Sequence, residues 1–301
     1  MEWERAKTYI LIAFIALNIG LGGMRFIEHR RHTITADQVN NIITVLSRNS
    51  IHMYTSLIQR FPPMQPLEIT GFYYSSDELI QIFFSGYEGT VNISSEWEGH
   101  QMFETEQARL EIINGFIFFE NKLIQPGRGG AIVTGLAAPA PQAQSGTPRE
   151  IADRFINEHF SGFEFDFSFS SYLGYGQYGT RLVYRQVFRR QAIHTNFVEF
   201  LVTEEGIAQI EAQFGRVEGH GGTYRNIFSA DEVLLTFMQT IRHIAIDNPI
   251  FVIRMDMVYL KEYASDQPGS VYQAVPFYRI FIRGQEDFPF LINAYTNTLL
   301  N

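Results

Sequence analysis

Thr147-Pro148-Arg149-Glu150-Ile151-Ala152-Asp153-Arg154-Phe155-Ile156, with Phe163-Glu164-Phe165-Asp166-Phe167-Ser168-Phe169-Ser170 shortly after it, contains both periods from which the fold is read. Thr147 and Glu150 stand at capping-box spacing, so the hydroxyl accepts an orphan helical amide while the acid reaches back to the cap. Pro148 suits the first helical position, where its missing N–H costs nothing. Ile151, Phe155 and Ile156 then recur at helical intervals. From Phe163 the period drops to two, and phenylalanines alternate with Glu164, Asp166, Ser168 and Ser170, as on a strand with one apolar and one wet face. The order is helix, then sheet.

The same capping device recurs on either side. Thr35-Ala36-Asp37-Gln38 opens a run with Val39, Ile42, Ile43 and Leu46, and Ser229-Ala230-Asp231-Glu232 opens one with Val233, Leu234, Phe237, Met238, Ile241 and Ile244. Strands are expected at 67–74, 79–85, 116–120, 180–188, 197–203, 207–214, 250–259, 277–283 and 290–295. Residues 126–146 are rich in Gly, Ala and Pro and read as a linker. The expected class is α+β: an N-terminal transmembrane helix, then two helix-plus-antiparallel-sheet domains at 33–125 and 147–301.

The transmembrane expectation rests on Tyr9 to Met24, which carries no charge. At about 1.5 Å per residue that run is roughly 24 Å, short of the ~30 Å hydrocarbon core. Flanking residues extend it to an anchor at 9–27 behind a short tail at 1–8, with Lys7 and Arg25 snorkelling outward. A cleaved signal peptide is the rival, but no Ala-x-Ala site follows the run. Ala13, Ala16, Gly20 and Gly23 would form a small-residue seam for a second helix, and Asn18 would face elsewhere with an amide seeking a partner. Two Lys/Arg precede the span and three follow it, so charge alone leaves its orientation open.

The chain of 301 residues is 46% hydrophobic, which supports a sizeable core. Beyond residue 32 it holds 18 Lys/Arg and 29 Asp/Glu, an acidity that phosphate backbones would repel, so nucleic acid is excluded as a partner. With no cysteine there is no disulfide and no thiolate chemistry. No His-Glu-x-x-His, Gly-x-Ser-x-Gly, phosphate-binding or dinucleotide motif is present, so no catalytic residue, cofactor or metal is expected. Gly127-Arg128-Gly129-Gly130 reads as linker, and Glu164 with Asp166 as a solvated strand face. His29 and His32 lie in a basic run suited to lipid headgroups, and His194 and His220 lack a carboxylate at ligand spacing. Tyr172 to Gly179, rich in Tyr and Gly, reads as a long hairpin turn or an adaptable contact loop.

Met1-Glu2-Trp3-Glu4-Arg5-Ala6-Lys7-Thr8, leading into Leu17-Asn18-Ile19, resembles the opening of the YycI family. Met257-Val258-Tyr259-Leu260, Val275-Pro276-Phe277-Tyr278-Arg279-Ile280 and Ile292-Asn293-Ala294-Tyr295-Thr296 resemble its closing strands, with Tyr278 standing where members usually carry Trp. Leu182 to Gln186 and Ile207 to Ile210 fit a family hairpin loosely. The resemblance implies a single-pass protein of the cell membrane with a cytoplasmic amino terminus and an extracytoplasmic body. It also implies pairing with a YycH-like sister protein and restraint of a cell-wall sensor histidine kinase through membrane-helix contacts. A second reading is a tethered PepSY-like inhibitor of a peptidase or wall hydrolase, prompted by the helix-plus-sheet units ending at Tyr278 to Ile280 and Asn293 to Tyr295.

Overall fold

A computed structural model describes residues 32–71, 75–87, 89–124, 146–160, 166–174, 179–242, 248–262, 270–286 and 288–300, together with Trp3, Lys7, Phe14, Ile15, Leu17 and Asn18. Its helices are α1 (Ala36–Arg48), α2 (Ser76–Phe84), α3 (Pro148–His159) and α4 (Ala230–Ile241). The strands up to the middle of the chain are β1 (Ile51–Met53), β2 (Leu67–Gly71), β3 (Asn92–Ser94), β4 (His100–Glu104), β5 (Ala108–Ile113) and β6 (Phe116–Asn121). Then follow β7 (Asp166–Gly174), β8 (Thr180–Phe188), β9 (Gln191–Thr203), β10 (Gly206–Gln213), β11 (Gly215–His220), β12 (Ile250–Lys261), β13 (Val271–Ile282) and β14 (Phe290–Asn293).

These strands make a large mixed sheet in place of the two successive antiparallel domains expected from sequence. The parallel pairings, β1 with β12 and Tyr259 of β12 with Ile193 of β9, join segments far apart in the chain, which no local pattern encodes. The transmembrane element is also corrected. Among the described residues no helix is long and apolar enough to cross a membrane, so the single-pass membrane location is not supported. The shortness of the charge-free run, roughly 24 Å against ~30 Å, is the physical reason the sequence case was weak.

All three expected helix starts form with their caps. Thr147 N–H donates to Glu150 at 2.8 Å and Glu150 N–H to the Thr147 hydroxyl at 3.3 Å, with Thr35 and Gln38 repeating the arrangement at 2.9 and 3.3 Å. Ser229 donates to Glu232 through its N–H at 2.9 Å and its hydroxyl at 2.7 Å. A fourth box, Ser75 with Glu78, opens α2, so the segment expected as a strand at 79–85 is a helix. Its apolar run Leu79, Ile80, Ile82, Phe83, Phe84 is too short and too continuous for periodicity to separate helix from strand.

The chain divides into two compact units, unit 1 being 1–64, 224–256 and 277–301, and unit 2 being 65–223 and 257–276. In unit 1, α1 packs on α4, and Leu46, Val233, Leu234 and Phe237 are buried with Val252, Tyr278 and Ile280 of the sheet. The Tyr278 hydroxyl donates to the Phe228 carbonyl at 2.8 Å, a bond that an indole N–H could also supply where the resembled family has Trp. In unit 2, β7, β8, β9, β10, β6, β5, β4 and β3 pair successively and antiparallel. α3 lies over β8, β9 and β10. Between helices and sheet sits an aromatic core in which Phe83, Phe119, Phe160, Phe200 and Phe214 are buried and Phe167 and Phe169 pack at its margin, as the alternation around them requires.

One polar chain crosses the interior of unit 2. Asn196 donates to Gln186 Oε1 at 2.7 Å, Gln186 donates to the Gly215 carbonyl at 2.8 Å, and Tyr272 donates to Asn196 Oδ1 at 3.2 Å. Asn196 is fully buried, so these partners, with the Thr195 hydroxyl donating to its Oδ1 at 3.3 Å, compensate its desolvation. Asn196→Ala is expected to cost about 2–4 kcal/mol by stranding the Gln186 carbonyl and the Tyr272 hydroxyl. Thr147→Ala should cost about 1 kcal/mol. Urea unfolding compares the two, and equal midpoints would show that the network holds nothing.

A candidate contact surface on unit 1

Strand parity puts the site on the page. Along β13, Tyr278 and Ile280 point into the core, so Arg279, Phe281 and the following Arg283 share the opposite face. Arg279 is buried and grips Asp256 of β12 with both ends of its fork, Nε to Oδ1 at 2.6 Å and Nη2 to Oδ2 at 2.9 Å. The guanidinium of Arg254 lies 3.6 Å from the centre of the Phe281 ring, and its Nε reaches the already occupied Asp256 Oδ2 only at 3.5 Å. Arg283 lies over both Phe251 and Tyr54, at 5.1 and 5.3 Å. Tyr54 meets Phe251 edge-on at 5.6 Å, and His52 stacks on the same ring.

Two guanidiniums, Arg279 and Arg254, therefore share the Asp256 carboxylate, while Arg283 rests on aromatic rings. Burial pushes the Arg254 guanidinium below its ordinary pKa, Asp256 pulls it back up, and Arg279 repels it. A positive group so placed is short of negative charge, and its half-exposed side chain can still accept a carboxylate from outside. Tyr54 and Phe251 add flat, stiff apolar area beside it, the composition that dominates protein contact energetics. Unit 1 as a whole carries 12 Lys/Arg and 10 Asp/Glu, unit 2 carries 11 and 22, so the arginine face lies on the less acidic unit. On unit 2, by contrast, the single Arg181 faces both Glu199 and Glu211, and burial raises the Glu199 carboxyl.

The residues singled out from sequence fall elsewhere. Ala13, Ala16, Gly20 and Gly23 lie outside the described residues, as do His29, Glu164, the Gly127 to Gly130 run and all of the 126–146 linker but Gly146. Asn18 is helical, and its Nδ2 donates to the Phe14 carbonyl one turn back at 2.8 Å, so its amide has a partner within its own helix. His32 packs edge-on against Phe61, and His220 against Phe188. The expected 172–179 turn is in part strand, because β7 runs through Gly174 and pairs with β8. His100 went unremarked in the sequence. It is buried, stacks on the exposed Trp97 at 4.2 Å, and its Nε2 sits 3.3 Å from Glu111. Among the described residues no group of three His, Cys, Asp or Glu is placed to hold a metal ion.

Sequence reasoning missed Arg254, Asp256 and Arg283 as a set. The signal was present as charge on a single strand parity, Arg254 and Asp256 two apart and Arg279 and Arg283 four apart, in largely apolar stretches. What was absent was any indication that β12 and β13 bring these pairs together.

Fold and surface together define a sheet-rich protein built on a large mixed sheet, with an arginine–aromatic face on unit 1. No family model and no curated protein matches the sequence. Among solved structures, an uncharacterized protein from Eubacterium rectale ATCC 33656 is similar over 83% of this chain and 90% of that one, with 10% identity and a TM-score of 0.52. At that identity the likeness speaks of fold alone. The Bacillus megaterium YpeB C-terminal domain matches over 77% of this chain and 97% of its own, at 12% identity and a TM-score of 0.38. YycH from Bacillus subtilis matches over 81% of this chain and 57% of its own, at 8% identity and a TM-score of 0.42. These last two are too far apart in shape to argue from.

The two arginines make opposite demands on stability. Arg279→Met should destabilise by about 2–3 kcal/mol, because it removes the buried guanidinium that pairs with both oxygens of Asp256 and leaves the carboxylate behind. Arg254→Ala, on a half-exposed group, should change stability by less than about 1 kcal/mol. Thermal unfolding of both variants checks this, and a large loss on Arg254→Ala would make it a structural brace instead of a contact group.

Proposed function

We propose that the chain is a non-catalytic regulatory module of the YycI/YycH kind, acting on a sensor histidine kinase system by protein contact through its folded body. The observation that carries the reading is Arg254, a guanidinium on an aromatic ring whose nearest carboxylate is already claimed by Arg279. Support also comes from the sequence resemblance, with its segments at 275–280 and 292–296 forming paired strands, Phe277 opposite Asn293 and Tyr278 opposite Ile292. Those segments are largely core, so they speak for the scaffold, while the partner is engaged by the opposite parity of the same strand.

The partner in this reading is a YycH-like sister protein that presents carboxylates to Arg254 and Arg283, with Tyr54 and Phe251 covered as they pair. Regulation follows if the paired complex and the free protein differ in affinity for the kinase, since only differential contacts shift a two-state equilibrium. The double variant Arg254→Glu with Arg283→Glu should weaken binding to a purified YycH-family protein from the same cell by at least about tenfold. Wild-type binding should also fall steeply as salt rises from about 50 to 300 mM. Calorimetric titration reads both effects. Binding that is insensitive to both the substitutions and salt, or absent in the wild type, would sink the proposal.

A further inference from the structure

Unit 2 contains a cavity of about 140 Å3 that opens in part to solvent between α2, α3 and the sheet. Its walls are apolar and largely aromatic, with Phe83 of α2, Phe119 of β6, Phe155 of α3 and Ile210 of β10 facing it. A dry apolar cavity of about 150 Å3 accepts one benzene-sized molecule, so the space fits a single ring.

Three residues with hydrogen-bonding side chains, Asn121, Tyr87 and His159, line the same space. Asn121 is 3% exposed; its Oδ1 accepts from the Leu123 N–H at 3.0 Å, while its Nδ2 makes no bond among the described residues. The Tyr87 hydroxyl makes none either, and burial raises its pKa to about 12, so it stays a donor. His159 meets the Phe155 ring at 4.5 Å, its ring nitrogens also have no partner, and burial lowers its pKa against the pull of Glu158, favouring the neutral ring. The Asn121 amide thus has donor capacity to spare toward the space beside it. The Asn121 amide nitrogen only donates and the protonated Tyr87 hydroxyl can donate, so an occupant presenting an acceptor matches both. Glu205 on the cavity lining and the acidity of unit 2 exclude an anionic one.

We infer that this cavity is a binding site for a neutral, single-ring small molecule carrying one oxygen acceptor, the ring held among Phe83, Phe119 and Phe155 and the oxygen by Asn121 and Tyr87. The inference concerns unit 2 alone and is independent of the arginine face. It implies that occupancy can be sensed where α2 and α3 meet the sheet.

The test uses benzamide as the neutral probe and benzoate as its anionic counterpart, with isoleucine methyl NMR on the full chain. Ile82, Ile207 and Ile210 line the cavity and report directly. Benzamide should shift these methyls saturably with a dissociation constant on the order of 1 mM, and benzoate should bind at least about tenfold more weakly. Tyr87→Phe should weaken benzamide about five- to tenfold, and Ile207→Trp, which fills the partly exposed margin, should abolish the shifts while the rest of the spectrum persists. If Ile207→Trp unfolds the protein, Tyr87→Phe alone decides. Absent or unsaturable shifts, benzoate binding as well as benzamide, or shifts that ignore both substitutions would each overturn the inference.

Discussion

Side-chain parity along the strands is the constraint on which the rest depends. On β9, Asn196, Val198, Phe200 and Val202 are buried while Phe197, Glu199 and Leu201 alternate with them on the opposite face. On β13, Tyr278 and Ile280 take one parity and Arg279, Phe281 and the following Arg283 the other, with Arg279 and Phe281 buried and Arg283 exposed. A slip of one residue would exchange the two sets and drive Glu199 or Arg283 into the core, a cost no local rearrangement could offset. Register is therefore strongly specified, and the aromatic core and the arginine face follow from the same alternation.

The polar interior reinforces that register. Gln186, Asn196 and Tyr272 come from β8, β9 and β13, and Asn196 also connects through Gln186 to Gly215 of β11. Apolar contacts tolerate small shifts, but a buried amide chain is satisfied in one alignment only. Gly215 belongs to the same arrangement, because a Cβ there would stand 2.6 Å from Ile69 and 2.7 Å from the Thr70 carbonyl.

Much of the fold was legible because its signals are local. Capping boxes at Thr35, Thr147 and Ser229 each need only four consecutive residues, and each opens the helix it announces. The box at Ser75 has the same spacing, yet the five apolar residues that follow carry no decisive period, and the helix was read as a strand. The candidate span failed for a related reason: a charge-free run too short for a bilayer leaves the assignment to its flanks, and the described residues contain no helix able to cross. Asn18, expected to seek a neighbouring helix, bonds back to Phe14, the commonplace outlet for a polar side chain within a helix.

The amino-acid sequence by itself determined the helix starts, the two-residue alternation of the long strands, the acidic balance and the lack of thiol chemistry. Each of these is a property of neighbours in the chain or of composition. Tertiary structure alone decided that β1 lies parallel to β12, that Arg279 meets Asp256 while Arg254 goes short, and that Asn121, Tyr87 and His159 line one cavity. The partners in each case are far apart along the chain and become neighbours only through sheet pairing and helix packing, which bury apolar area without regard to sequence distance.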